Sequence, residues 1–184
     1  MAEAGRLVGV GPMAAVAGTL AQLAVQDAVE AGAKNVLVDN GGDIFVHGYR
    51  SFTVAIYAGE SPLSGKLALK LEPEMLPLAV CTSSATVGHS LSFGEADAVT
   101  VLAKSGALAD AAATAIANEV QGSGEEPVKR GLRRARRIRG VRGCIILKGS
   151  VLGAAGDLPK LVPASPESVE LANVGNRYWL RNWE

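Results

Sequence analysis

The tetrapeptide Asn40-Gly41-Gly42-Asp43 stands between two short β-type runs, residues 35–39 and 43–47. Asn and Gly side by side favour a tight turn with positive backbone φ, and β-type runs on both sides make the stretch a hairpin signal. A hairpin here commits the chain to antiparallel pairing. Further β-type runs at 52–57, 66–71, 78–82, 96–103 and 143–148 extend that sheet. Helical spacing of Ala, Val and Leu over 12–31, with Pro12 in a first turn and Gly32 just past the end, predicts one long helix. Its Ala14, Ala15, Ala17, Gly18 and Ala21 would let another backbone approach closely. An Ala-rich helix over 107–120 and a basic one over 128–139 complete an α/β chain, of the α+β kind, with a mixed, largely antiparallel sheet packed with helices.

The chain has 184 residues, enough for one domain with a single core, and no internal repeat or linker marks a second. We expect one domain over 1–157. The stretch 158–184, with three prolines and little periodicity, reads as a tail that wraps the surface or is partly disordered. Lys plus Arg equals Asp plus Glu at 18 each, so any electrostatic attraction has to be local. Cys81 and Cys144 each sit in an apolar run, the pattern of buried thiols in a reducing compartment. Residues 1–11 show no leader pattern, and no run of about 18 apolar residues appears. The expectation is a cytoplasmic protein with no membrane partner.

Several familiar motifs fail on spacing. Gly9-x-Gly11-x-x-Ala14 opens a helix but lacks the strand that should precede a dinucleotide fingerprint. Gly65-Lys66 lacks the upstream glycine and following hydroxyl of a phosphate loop. Ser90-x-Ser92-x-Gly94 lacks the first glycine of a nucleophile elbow, and with only His47 and His89 present a zinc site is disfavoured. Residues 128–142 hold eight Lys or Arg. Such a run can neutralise phosphates, but most are solvated helix faces, and aromatics at 4% leave few stacking platforms, so nucleic acid is disfavoured. Asp110, Thr114 and Asn118 fall at i, i+4 and i+8 on one face of the Ala-rich helix. Asp110 and Thr114 offer hard oxygens to Mg²⁺. Equally, Asp110 can favour a helix N-terminus while Thr114 bonds back to a carbonyl.

Taken together, Asn40-Gly-Gly-Asp-Ile44, Cys81-Thr-Ser-Ser84 followed by His89, and Leu108-Ala-Asp-Ala-Ala-Ala-Thr-Ala115 resemble the ApbE family of FAD:protein FMN transferases. The likeness runs from about residue 8 to residue 157 and is nearest to a compact intracellular branch. It implies an ApbE-like fold lacking part of the N-terminal region. It also implies a flavin-nucleotide phosphotransferase that splits FAD, passes FMN to a Thr or Ser hydroxyl on an acceptor flavoprotein and releases AMP. By the same resemblance Asp110 and Thr114 match the ligands of Mg²⁺ or Mn²⁺. Gly18, Asn40, Gly41, Gly42, Asp43, Thr82, Ser83, Ser84 and His89 match residues around the flavin nucleotide, and His89 is the candidate catalytic residue for proton transfer. Two positions depart from the pattern: Ser92-Phe93 stand where the family has Asp-Pro, and Ala17-Gly18 where it has Lys-Gly. A non-catalytic flavin or nucleotide-binding module is the alternative. A second copy of the chain, as a homo-oligomer, is one way to cover an exposed sheet edge.

Overall fold

A computed structural model describes residues 1–87 and 93–164. Nine strands and four α-helices follow in the order α1 (Ala2–Val8), α2 (Val16–Glu30), β1 (Val36–Asn40), β2 (Asp43–His47), β3 (Phe52–Ala55), β4 (Leu67–Leu71), β5 (Leu78–Ser83), β6 (Ala98–Ala103), α3 (Gly106–Ala117), α4 (Glu126–Arg137), β7 (Val141–Lys148), β8 (Val151–Gly156) and β9 (Lys160–Pro163). Six strands form one sheet in the order β1-β2-β5-β6-β7-β8, and β3-β4-β9 form a second. Every pairing in both is antiparallel.

The expected hairpin is present, and its register explains its glycines. Asn40 pairs with Asp43, so Gly41 and Gly42 alone make the loop, at φ 68° and 98°. A two-residue loop matched to the strand twist needs positive φ at both positions, which glycine adopts without a Cβ penalty. Gly41→Val is therefore expected to lower stability by about 1–3 kcal/mol, read as a lower denaturation midpoint with an unchanged slope.

The centre of the large sheet, β5 to β7, is buried on both faces. Phe45, Ala79, Cys81, Val99 and Val101 pack under the helices, while Val46, Leu78, Val80, Leu102 and Ile145 meet Val54, Leu69 and Leu71 of the small sheet. The molecule is thus three layers: helices, large sheet, small sheet. This is why β5 and β6 read as nearly continuous apolar runs and not as alternating ones.

Several elements differ from the expectation. The runs at 52–57 and 66–71 do not extend the hairpin's sheet but pair with each other, as β3 and β4, in the second sheet. The single helix over 12–31 is a 3-10 turn, Pro12–Ala15, followed by α2, and the separate helix α1 precedes both. β8 has a weak signal because four of its six residues, VLGAAG, are glycine or alanine, which are poor β-formers. β9, inside the expected tail, pairs with β4 and completes the small sheet. Its own sequence, KLVP, is too short to show a period.

Candidate functional site

Two carboxylates, Asp110 buried and Asp43 half-buried, lie near enough beneath the start of α2 for the charge of Asp110 to act on Asp43. Asp110 lies one turn into α3 and is 9% exposed. It accepts the Gly18 backbone N–H at 2.9 Å, and the Ala17 amide also favours its charged form. These amides belong to the first turn of α2, where N–H groups have no helical partner, so Asp110 caps α2 from another helix. Burial outweighs this support and raises the Asp110 carboxyl above its usual value.

The crossing that delivers Asp110 is made by glycines. A Cβ on Gly18 would lie 2.5 Å from the Gly106 carbonyl oxygen and 2.8 Å from Asp110 Cβ. Across the same crossing Gln22 Oε1 accepts the Gly106 N–H at 2.7 Å, and Ser105 caps α3 by accepting the Leu108 N–H. The small-residue surface expected on this helix is therefore a backbone-to-backbone contact.

Asp43 comes from the other side, as the first residue of β2 after the glycine turn. It pairs with Cys81 in β5, and strand alternation turns it to the helix-covered face with Phe45 and Cys81. Burial first, then the nearby Asp110 charge, push its carboxyl up to about 7, against smaller opposing effects from the Cys81 thiol and the Thr82 amide. Asp43 Oδ1 is the one buried side-chain oxygen or nitrogen without a hydrogen-bond partner among the described residues. Burial and the two carboxylates also push the Cys81 thiol well above its ordinary value. A buried acceptor without a donor is costly unless something satisfies it.

That raised carboxyl carries a sign for stability. The folded state holds the Asp43 proton up to about pH 7 and the unfolded chain releases it near 3.8. Stability from this group is thus full below the unfolded value and is lost as pH rises through 7. In EDTA, Asp43→Asn is expected to melt above wild type at pH 8, with an advantage of a few kcal/mol at most that shrinks toward pH 4.

The other anticipated residues are distributed around this centre. Asn40 donates its side-chain amide to the Ala17 carbonyl at 3.3 Å, fastening the turn to the start of α2. Gly42 N–H is held by Asp39 Oδ1 at 2.8 Å. Thr114 is one turn beyond Asp110, half-buried, with no side-chain hydrogen bond among the described residues, so it does not bond back to a carbonyl. Asn118 Oδ1 accepts the Phe93 N–H at 3.0 Å and anchors the loop that returns to β6. Ser83 shares the helix-covered face by alternation, whereas Thr82 points to the other face and bonds the Thr100 hydroxyl at 2.9 Å. Ser84 accepts the Thr86 and Val87 amides and so closes its own turn. His89 and Ser92 lie outside the described residues.

Sequence reasoning treated Cys81 as a buried thiol and passed over Gly106 and Gln22. Only the Asp43–Cys81 register places the thiol beside two carboxylates, and the Gln22–Gly106 bond spans 84 residues, so no local pattern marks it. An open groove of about 440 Å³ lies elsewhere, lined by Glu95, Asp97, Ser123 and Ser150. Its acids are already engaged by Lys148 and by the Gly149 amide. Among the described residues no single helix is long and apolar enough to cross a membrane.

Hard carboxylate and hydroxyl oxygens, one of them buried and unpartnered, are a donor set that fits a small divalent cation. The cation's charge would relieve the mutual repulsion of Asp43 and Asp110, which burial otherwise answers by holding protons.

The chain is similar to known proteins over most of its length. A family model described as AbpE bacteria matches residues 1–139. A UPF0280 protein of Methanosarcina acetivorans is 47% identical over 164 residues, 89% of this chain and 64% of that protein. Another, of Methanococcus aeolicus, is 42% identical and is covered over 69% of its length, with 92% of this chain aligned. The crystal structure of the Pseudomonas stutzeri flavinyl transferase ApbE, in its apo form, shares the fold with a TM-score of 0.55 at 20% identity. That match covers 80% of this chain and 51% of the Pseudomonas chain. The chain thus spans under two thirds of the Methanosarcina relative and about half of the flavinyl transferase. By the family match and these relatives, the chain belongs to the AbpE bacteria family, in the company of UPF0280 proteins and on an ApbE-like fold.

Proposed function

We propose that the chain carries a flavin-nucleotide phosphotransferase site that splits the pyrophosphate of FAD, releases AMP and passes FMN to a Thr or Ser hydroxyl on an acceptor flavoprotein. The observation that carries this reading is the pair Asp43 and Asp110, with Asp43 Oδ1 buried and unpartnered beside the Gly41-Gly42 turn. Asp110 and Thr114 would hold Mg²⁺ or Mn²⁺, with Asp43 completing the charge on that side. A divalent ion there supplies Lewis-acid neutralisation of the pyrophosphate as negative charge grows on the leaving AMP.

The residues do the positioning. The glycine turn has no side chains to bar a close approach, and Asn40 fixes that turn against α2. Ser83 faces the same layer and can donate to a phosphate oxygen. One P–O bond of FAD breaks as the acceptor oxygen forms a new one, and the hydroxyl proton goes to His89, assigned on its motif alone. Metal binding requires deprotonated Asp43, so affinity is expected to rise with pH up to about 7.

One observation favours a flavin-binding module without transfer. The Gly18 N–H is spent on Asp110, and Ala17 stands where the family has Lys, so a phosphate gains neither amide nor cation at that corner. AMP release from FAD, followed by chromatography with Mg²⁺ and with EDTA, separates the two. Metal-dependent AMP supports transfer or hydrolysis; FAD binding without AMP supports the module; neither binding nor AMP from a folded protein rejects both. An intracellular, cytoplasmic setting for the acceptor belongs to the same proposal.

A further inference from the structure

The basic run over residues 128–142, most of it in α4, has no part in the site just described. Within it Arg130 donates to the Glu119 and Gln121 carbonyls and Arg134 to the Val8 carbonyl. Lys129 and Arg133 pair with Glu125 and Glu126, and Arg142 with Asp157. Arg136, Arg137 and Arg139 are exposed and have no hydrogen bond or ion pair among the described residues.

These three do not stand alone. Arg136 and Arg142 line one small cleft. Burial first, and then the charge of the nearby Arg142, lower the Lys104 ammonium below its ordinary value. Residues 128–142 hold eight of the chain's 18 cations and no carboxylate, in a molecule of formal net charge zero, so the remainder is acidic overall. Like charges gathered at one end weaken the folded state, and the C-terminal dipole of α4 offsets only part of that cost.

The cluster also lies away from the candidate site. β6 runs from Ala98, beside the end of β5 near Ser83, toward Lys104, while Asp43 pairs with Cys81 and the glycine turn projects from the Ser83 end. A partner held at the Lys104 end leaves the carboxylate pair open.

We propose that the C-terminal end of α4 and the turn that follows it, carrying Arg136, Arg137 and Arg139, form a docking face for an acidic polypeptide segment of a partner protein. Charge complementarity argues for an anion. The choice of carboxylate rests on this basic run itself, whose other cations already hold carboxylates in ion pairs: Glu125 and Glu126 at the N-terminal end of α4, and Asp157 against Arg142 at the proposed face. Guanidinium groups suit such pairing in a bidentate way. No aromatic residue occurs in 128–142 to stack on a base.

The test is fluorescence anisotropy of labelled deca-glutamate titrated with the full chain at low and at physiological salt. The triple variant Arg136→Gln, Arg137→Gln, Arg139→Gln is expected to weaken binding about tenfold or more. Lys34→Gln, Lys66→Gln, Lys160→Gln removes the same charge elsewhere and is expected to bind as wild type. Circular dichroism melts on both variants establish that they fold. The proposal is overturned by no peptide binding at low salt or by equal loss in both variants. It is also overturned if labelled deca-uridine binds more tightly and is lost in the arginine variant, which assigns the face to RNA.

Discussion

Asp110→Asn is expected to reduce Mg²⁺-dependent AMP release from FAD by about 100-fold or more, while its melting temperature stays within a few degrees of wild type. The two effects separate because Asp110 has two tasks. Its Oδ2 accepts the Gly18 N–H, a neutral acceptor's work that an amide oxygen can continue. Its negative charge, which burial disfavours, is what a metal would use and what Asn lacks. Asp110→Ala removes both and adds about 1 kcal/mol for the lost cap. Full AMP release in the Asn variant would remove Asp110 from the metal site. Loss of AMP release together with collapse of the melt would make its role structural, and Thr114→Val, which leaves that cap alone, then tests the metal reading independently.

Gly106→Ala is expected to destabilise the fold by about 2–3 kcal/mol, although Gly to Ala in an open helix gains up to about 1 kcal/mol. The sign reverses because a Cβ there runs into the Gly18 carbonyl oxygen with no room to turn away. The backbones of α2 and α3 would have to part, loosening the Gln22–Gly106 and Asp110–Gly18 bonds together. For a chain of this size the melt should drop by roughly 5–10 °C. An unchanged or raised melting temperature would mean that the helices separate at little cost and that the crossing does not fix Asp110. Flavin binding should weaken in parallel, since the same crossing sets the distance between Asp110 and the glycine turn.

Much of the fold was legible from one-dimensional pattern. The Asn40 to Asp43 turn, the apolar runs of β5 and β6 and the Ala-rich α3 each carry a local signal: positive-φ chemistry, β-type runs or a helical period. The signals failed where an element is defined by its partner. β9 is a strand because β4 offers it an edge, and α1 is short and lies outside the long periodic stretch. The four-residue Pro12–Ala15 turn also breaks a helix that composition alone would run straight.

The site divides the same way. Asp110 and Thr114 on one helix face, and Asp43 after a glycine turn, follow from spacing within segments of a few residues, so the amino-acid order determined which oxygens are offered. That Asp43 and Asp110 share one buried space was decided by the tertiary structure. The Asp43–Cys81 register and the Gly18–Gly106 contact join residues 38 and 88 positions apart. The same long-range packing sent Thr82 to the opposite face and spent the Gly18 amide on Asp110. Chain-local chemistry sets what each residue can donate; burial and register, which are properties of distant residues brought together, set which charges feel one another and which oxygen is left without a partner.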